Sequence, residues 1–304
     1  MGASLLRTCR LQQKTVAAKL QALTKVYFRS SACSCALLLL HLSPPPRLYD
    51  AHVHLADAEY SGYLGHILES MRAMNLVGCS VAVDIATSLK GIEIFAGYVD
   101  VVRQFVGIHP EFAAQGDPDK LAEVFRANAS AISGIGEIGL DGTYEQERGV
   151  PYSRQKQVFE AMLSLAESAG KPVSIHSRRA LDDVLGMLPS FRIRGALLHW
   201  FAGSKKQLAR SMDLDGVYVS YGPALVYADD KKVLLKNTLR DRFLVETDGP
   251  VRYARCFEGR PALPTSCLAS VVAAAAATLG IEFGEAAALL QENTEEFLGG
   301  QTRL

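Results

Sequence analysis

Two histidines with one valine between them, His52 and His54 in "DAHVHL", are the first residues in the chain whose types and spacing suggest chemistry. The segment reads as a β-strand, in which alternate side chains share a face, so both imidazoles would point the same way. Neutral imidazole is the commonest protein ligand for zinc and similar ions. An isolated H-x-H pattern is also compatible with ordinary packing, so the other polar residues decide between the two interpretations.

Four further imidazole or carboxylate groups lie in or directly after apolar runs. They are Glu137 in "GIGEIGLD", His176 in "VSIHSR", His199 in "ALLHWF" and Asp248 in "LVETDGP". Burying such a group without a partner costs about 2–7 kcal/mol, and a bound cation removes that cost. Each residue alone could be a hydrogen-bonded core histidine or a carboxylate held by a backbone N–H. Taken with the histidine pair, the set predicts a metal centre.

The elements that would position these residues alternate along the chain from Leu48 onward. Eight apolar or β-branched runs predict strands, and these are "RLYDAHVH", "GCSVAVDIA", "VVRQFVGIHP", "AISGIGEIG", "KPVSIHS", "RGALLHWF", "GVYVSYG" and "RFLVETDGP". Helices are predicted between and after them, at 62–76, 117–129, 151–169, 178–188, 204–213, 229–238, 266–279 and 284–298. This alternation is typical of an α/β protein with a TIM (β/α)₈ barrel of the metal-dependent hydrolase type.

In such a barrel the carboxyl ends of the strands meet at one face, where active sites are built. The six polar residues end the first, fourth, fifth, sixth and eighth predicted strands, so the barrel would gather them into one cavity. Residues 48–304 contain no internal repeat and no low-complexity linker. They are therefore predicted to form a single TIM-barrel domain.

The composition, 49% hydrophobic and 21% charged, suits a globular protein with a sizeable core. No apolar run approaches the roughly 20 residues needed to cross a bilayer, and no stable membrane association is expected. The formal net charge of zero conceals an asymmetry, because residues 1–49 hold seven basic and no acidic residues. That leaves 25 basic against 32 acidic residues in 50–304. An acidic body disfavours broad, charge-driven coating of nucleic acid, although bound cations could still handle a phosphate ester locally.

Residues 1–47 form a basic, acid-free extension that ends after "SPPP". This composition is typical of a mitochondrial transit peptide, and the alternative is a disordered extension with no targeting role. The six cysteines show no C-x-x-C pair, which favours reduced thiols in an intracellular protein. A cytoplasmic location is expected, or a mitochondrial one if the extension is a transit peptide.

The motifs "DAHVHL", "GIHP", "GEIGLD", "PVSIHSR", "LLHWF" and "VETDGP", in this order, resemble the TatD family of metal-dependent deoxyribonucleases and related hydrolases over residues 48–298. The resemblance implies a TIM barrel with two divalent metal ions and a 3′-exonuclease or endonuclease activity on DNA. It implies that His52, His54 and Asp248 hold one ion. It also implies that His176 and His199 hold the second and that Glu137 bridges both. The family uses Mg²⁺, Mn²⁺ or Zn²⁺, and four imidazoles favour Zn²⁺ or Mn²⁺.

Two adjacent cations can activate a water molecule and stabilise the leaving oxygen of a phosphodiester. Asp248 is the predicted base for that water, and Glu137 would set the distance between the ions. The resemblance places His109, in "GIHP", against the substrate phosphate. Arg178 could approach the phosphate or pair with an acid on the next helix. Trp200 is expected to wall the pocket, either stacking on a base or packing behind the ligands.

The substrate is expected to be DNA or another phosphodiester, and RNA, damaged ends, small phosphodiesters and the oligomeric state stay open. A different hypothesis is a C–N hydrolase or deaminase of the amidohydrolase type. Many of its binuclear members carry a carbamylated lysine on the fourth strand, where this chain has Glu137, and Lys171 begins the fifth strand on the wrong side. Mononuclear deaminases have glutamate where Ser174 stands. A non-catalytic metal-binding protein is a third hypothesis, which the intact ligand set disfavours.

Overall fold

The computed structural model describes residues 45–253, 255 and 259–299. The predicted extension of residues 1–47 lies almost wholly outside this range. Three statements therefore stay predictions: the targeting role of this extension, the domain boundary after it, and the single domain of residues 48–304. Within the described range, no single helix combines the length and apolar composition needed to cross a membrane. Only Pro264–Leu279 and Phe283–Phe297 taken together reach those limits, and they are bent by 107°.

Eight parallel strands form a nearly closed barrel in sequence order, which confirms the predicted TIM-barrel fold. Each predicted run overlaps a strand, although β2 begins two residues before its run. Most strands are shorter than predicted, because the chain leaves the sheet as it enters the loops that carry polar residues. The strands are β1 (Leu48–Val53), β2 (Leu76–Val81), β3 (Val102–Val106), β4 (Gly134–Gly139), β5 (Val173–His176), β6 (Ala196–Leu198), β7 (Val217–Tyr221) and β8 (Phe243–Val245).

Helices alternate with the strands and cover the barrel. They are α1 (Leu64–Ala73), α2 (Ile85–Ile94), α3 (Pro118–Ala127), α4 (Tyr144–Arg148), α5 (Tyr152–Ala169), α6 (Leu181–Met187), α7 (Lys205–Met212), α8 (Ala224–Tyr227), α9 (Asp229–Lys236), α10 (Pro264–Leu279) and α11 (Phe283–Phe297). One face of α5, formed by Phe159, Met162, Leu163 and Ala166, is buried, and Gly170 ends that helix with a left-handed C-cap.

Helix α2 was not predicted, and the second strand was wrongly extended into it. Asp84 caps this helix, because its Oδ1 accepts a 2.7 Å hydrogen bond from the Thr87 backbone N–H. The Thr87 hydroxyl in turn accepts from the Asp84 backbone N–H, which completes a capping box. This reciprocal pair satisfies two N–H groups at the helix start. The β-branched residues on both sides of Asp84 favour a strand. The cap favours a helix, and it decides the local structure.

The amino end of the barrel is filled by apolar side chains. Phe297, at the end of α11, stacks on Phe105 of β3 at 6.2 Å between ring centroids and meets the Tyr218 ring edge-on at 5.6 Å. These residues belong to a buried cluster drawn from most of the strands. The polar residues predicted to do chemistry are thereby confined to the opposite, carboxyl end of the barrel.

Two local irregularities shape that carboxyl end. The register of β1 on β2 shifts between Asp50 and Val53, and that of β4 on β5 shifts between Ile135 and Ile138. A bulge changes which side chains face the barrel axis. Here the two shifts fall at the strand segments that carry the histidine pair and Glu137.

The segment after β8 closes the barrel onto β1 at the same end. The Asp248 backbone N–H donates to the His52 carbonyl at 2.9 Å, and the His54 N–H donates to the Gly249 carbonyl at 2.7 Å. The Thr247 N–H donates to the buried carboxylate of Asp50. These bonds fix the aspartate beside the histidine pair.

Candidate metal centre

All six residues predicted as metal ligands converge at the carboxyl end of the barrel. His52 lies in β1 and His54 directly follows that strand (together the β1 histidines), and Asp248 follows β8. Their facing atoms are close, with 3.5 Å from His52 Nε2 to Asp248 Oδ1 and 3.4 Å from His54 Nε2 to the same oxygen. Two ligands on one ion, each at about 2.1 Å in tetrahedral geometry, are about 3.4 Å apart. The three residues thus form one group of the right size for a divalent ion.

Glu137 lies between this group and a second one. Its Oε2 faces the β1 histidines, at 3.7 Å from His52 Nε2 and 3.5 Å from His54 Nε2. Its Oε1 faces the other side, at 3.0 Å from His176 Nδ1 and 2.8 Å from His199 Nε2. One carboxylate oxygen is therefore directed at each set of imidazoles, which is the arrangement that a bridging ligand needs.

The two sets are adjacent. The rings of His52 and His199 stack in parallel, with centroids 3.8 Å apart and planes inclined by 7°. Because each ring belongs to a different set, the stack holds the two groups of ligand atoms side by side. Gly139 allows the second set to approach, because β4 and β5 are so close there that a Cβ on Gly139 would overlap the His176 carbonyl.

The outer ring nitrogens of the β1 histidines are already engaged. His52 Nδ1 is 2.7 Å from the Ser174 hydroxyl, and His54 Nδ1 is 3.2 Å from the Val81 carbonyl. The carbonyl can only accept, so His54 carries a proton on Nδ1 and turns Nε2 to the centre. His52 Nε2 is buried and has no hydrogen-bond partner among the described residues. An orphaned buried nitrogen aimed at two carboxylates fits a cation as its partner.

Burial lowers the pKa of His54 and of His176, but hydrogen bonds to Asp248 and to Asp141 outweigh it and raise both pKa values to about 9. Each of these rings must therefore lose a proton before it can bind a cation.

His52 and the two carboxylates already have the charge that ligation needs. Burial, and then repulsion from His199, lowers the pKa of His52 to about 4, so this imidazole is neutral at pH 7. Burial raises the pKa of Glu137, but the imidazoles of His109 and His199 outweigh it and hold the pKa well below the usual value. Burial likewise raises the pKa of Asp248, but the hydrogen bond from His54 outweighs burial and leaves the pKa below its usual value. Both carboxylates are ionised and can bind a cation.

Two acids that the sequence reasoning missed lie behind the second set of imidazoles. Asp141 is fully buried, and its Oδ2 is 2.8 Å from His176 Nε2. Glu246 is also fully buried, and its Oε1 is 4.0 Å from His199 Nδ1. Asp141 stands four residues after Glu137 in "GEIGLD", and Glu246 two before Asp248 in "VETDGP", so their places in the motifs were a usable signal. A carboxylate hydrogen-bonded to a ligating histidine fixes the ring and raises its basicity, which is the arrangement of Asp141 and His176. Glu246 makes no hydrogen bond to His199, and burial raises its pKa to about 8.

The two residues predicted to touch substrate have different surroundings. His109 Nδ1 accepts a 3.3 Å hydrogen bond from the Glu111 backbone N–H, which leaves the proton on Nε2, 3.4 Å from Glu137 Oε1. Arg178 pairs with acids, but these lie before it in the chain and not on the next helix, as the second predicted alternative had it. Its Nε donates to Asp141 at 2.7 Å and its Nη2 to Glu147 at 2.9 Å. Both residues line the cleft above the centre.

That cleft has a volume of about 1430 Å³ and opens directly over the converging side chains. Its walls carry aromatic rings and arginines, namely Phe112, Tyr144, Tyr152, Trp200, Arg178, Arg179 and Arg252. Sites for small ligands usually measure about 300–1,000 Å³. The cleft is therefore larger than one small molecule requires, and it can hold several units of a polymer.

Replacing Asp141 with asparagine is expected to weaken metal binding by about 10- to 100-fold. The change keeps the side-chain volume but removes the charge that holds His176 Nε2, so the ring loses its fixed orientation. Equilibrium titration against a competing chelator measures the affinity. Asp183→Asn is the matched control, because Asp183 pairs with Lys156 at 2.9 Å on the wall of the same cleft. Equal affinities in the two variants would contradict the role given to Asp141.

Comparisons with known proteins agree with this geometry. The family model for TatD-related DNases matches residues 49–299. An uncharacterized metal-dependent hydrolase, YabD of Bacillus subtilis, is 29% identical over 254 residues, which cover 82% of this chain and 97% of YabD. The 3′-5′ ssDNA/RNA exonuclease TatD of Edwardsiella piscicida is 28% identical, over 70% of this chain and 84% of its own. The crystal structure of YjjV, a TatD homologue from Escherichia coli, superposes with a TM-score of 0.74 at 25% identity, over 83% of this chain and 97% of YjjV.

Proposed function

The chain belongs to the family of TatD-related DNases, and we propose that it is a nuclease that hydrolyses phosphodiester bonds at a centre of two divalent ions. The observation that carries the proposal is the position of Glu137, with one oxygen directed at each set of imidazoles. A single-ion site would have no use for a carboxylate shared in this way.

In the proposal His52, His54 and Asp248 hold one ion, His176 and His199 hold the other, and Glu137 joins both. Bound divalent ions lower the pKa of a water molecule and neutralise the charge that develops on the phosphate. Four imidazoles in the donor set favour Zn²⁺ or Mn²⁺ over Mg²⁺.

The protein's own groups then position the substrate and move the proton. Asp248 is ionised, and the bond from its backbone N–H to the His52 carbonyl holds it beside the histidine pair, which suits it to accept the proton of the attacking water. His109 is fixed as the tautomer with a proton on Nε2, which suits it to donate to a phosphate oxygen better than to bind a metal. Arg178, held by two acids, contributes little net charge and serves mainly to order the wall of the cleft.

The substrate proposed is nucleic acid rather than a small cyclic amide. The relative from Edwardsiella piscicida is named a 3′-5′ ssDNA/RNA exonuclease, and the size of the cleft suits a polymer end. Against the amidohydrolase alternative, Lys171 donates to the Ile132 carbonyl at 2.7 Å, at the start of β4 and away from the centre. Ser174 binds His52 through a hydroxyl that is not acidic.

The test is removal and return of the metal. After exhaustive chelation the protein is expected to lose its activity on single-stranded DNA and on bis(p-nitrophenyl) phosphate, and to regain it with Zn²⁺ or Mn²⁺ at about two ions per chain. His176→Ala is expected to fall clearly below that stoichiometry, and His66→Ala, on the exposed face of α1, is the matched control. Reloaded protein that cleaves a cyclic amide and neither phosphodiester would overturn the proposal.

A further inference from the structure

We propose that Trp200, backed by Tyr253, is a stacking platform for a nucleobase next to the scissile phosphate. This inference rests on the proposed nuclease function and adds the feature of the substrate that the protein recognises. Trp200 is the only tryptophan in the chain.

The first argument is the position of Trp200. It follows the ligand candidate His199 directly, and its side chain lines the same cleft as the six converging residues. Its backbone N–H donates to Glu246 Oε1 at 2.7 Å and to the Ser220 hydroxyl at 3.2 Å. The indole is thus one residue away from a candidate metal ligand. The side chains of Glu246 and Ser220, both buried, hold its backbone in place.

The second argument is the backbone conformation. Trp200 has a φ of 45°, in the left-handed region that bulky residues rarely adopt. Such a conformation costs about 1–3 kcal/mol and persists where neighbouring contacts enforce it. Here the hydrogen bonds to Glu246 and Ser220 enforce it, which is the expectation for a residue whose placement matters to a site.

The third argument is that one face of the indole is packed and the residue is still exposed. The ring stacks on Tyr253 at 5.3 Å between centroids, with planes inclined by 19°. Tyr253 itself is buried, and its hydroxyl donates to the Thr247 carbonyl at 3.0 Å. Trp200 nevertheless remains 36% exposed. A ring that only sealed the core would be buried, whereas a ring supported on one face can offer the other to a ligand.

Trp200 differs from the other exposed hydrophobic residues because it lies in the cleft. Eight large hydrophobic residues are exposed in the described part of the chain, and Trp200 alone among them lines the cleft. Base–aromatic stacking accepts every base, because each has a π-face, and it requires a base that has left the duplex stack. The ligand class is therefore an unpaired nucleotide, with little preference for sequence.

The direct test uses the fluorescence of the single tryptophan. The metal-loaded protein is titrated with a phosphorothioate-linked oligothymidylate, which resists hydrolysis, and with a phosphorothioate strand of abasic tetrahydrofuran units of the same length. Stacking predicts saturable quenching by the first strand and none by the second. Equal responses to both strands, or no response to either, would overturn the proposal.

The kinetic test compares Trp200→Ala with Trp200→Phe on ordinary and abasic single strands. The alanine variant is expected to raise KM for the base-bearing strand by about tenfold or more and to change KM for the abasic strand by a much smaller factor. The phenylalanine variant is expected to recover most of the loss. Phe283→Ala, an exposed aromatic outside the cleft, is the control. An equal loss on both strands would assign Trp200 a structural role instead. Loaded wild-type protein that cleaves neither strand would refute the nuclease function itself, which is a distinguishable result.

Discussion

Replacing Asp248 with asparagine is expected to lower kcat on a phosphodiester by about two to four orders of magnitude, the usual contribution of a positioned general base. Asparagine keeps the volume and one oxygen of the side chain and loses the charge that accepts a proton. KM is expected to change much less, because the substrate contacts proposed for His109 and Trp200 are untouched. Steady-state kinetics on bis(p-nitrophenyl) phosphate, with metal content measured on the same sample, gives both parameters.

Asparagine is the right substitution here because of the backbone. Asp248 has a φ of 50°, and asparagine is among the few residues that accept this left-handed conformation. The bond from its backbone N–H to the His52 carbonyl does not depend on the side chain. Alanine would add strain and confuse a loss of chemistry with a loss of structure. Asp183→Asn is the control, and an Asp248→Asn protein that keeps both its ions and its rate would exclude Asp248 as the base.

The convergence of the six residues could be predicted because it depends on topology. Imidazoles and carboxylates that directly follow apolar runs in a parallel barrel must meet at its carboxyl end. His52 and Asp248, nearly 200 positions apart in the chain, are neighbours for this reason alone. The sequence positions were sufficient, and no side-chain detail was needed.

The finer geometry depends on interactions that sequence periodicity does not carry. The register shifts in β1 and β4 fall at the segments that carry the histidine pair and Glu137, and no residue type signals them. Asp141 could have been predicted as a partner of His176. Gly139 of β4 pairs with His176 of β5, and Asp141 comes two residues after Gly139. The partners of Arg178, Asp141 and Glu147, lie 37 and 31 positions before it in the stretch between β4 and α5, so its role required the fold.

Replacing Glu137 with glutamine is expected to lower kcat/KM by about 10³-fold and the metal content from about two ions to one. The ions are expected to contribute several kcal/mol of charge stabilisation, and each 1.36 kcal/mol corresponds to a factor of ten. Glutamine keeps one oxygen that can serve one set of imidazoles. Its NH₂ group must then face the other set, where it offers hydrogens to a place that needs a lone pair.

The stoichiometry distinguishes a bridging role from a purely electrostatic one. If Glu137 only supplied negative charge to the centre, glutamine would weaken both ions together and no protein with one tightly held ion would form. If it bridges, one ion stays and one is lost. Glu147→Gln, which removes an exposed carboxylate that pairs with Arg178, controls for the change of charge in the same loop region. Glu137→Asp keeps the charge on a side chain that is shorter by one methylene. This variant should retain more metal than Glu137→Gln, but its carboxylate should not reach both sets of imidazoles.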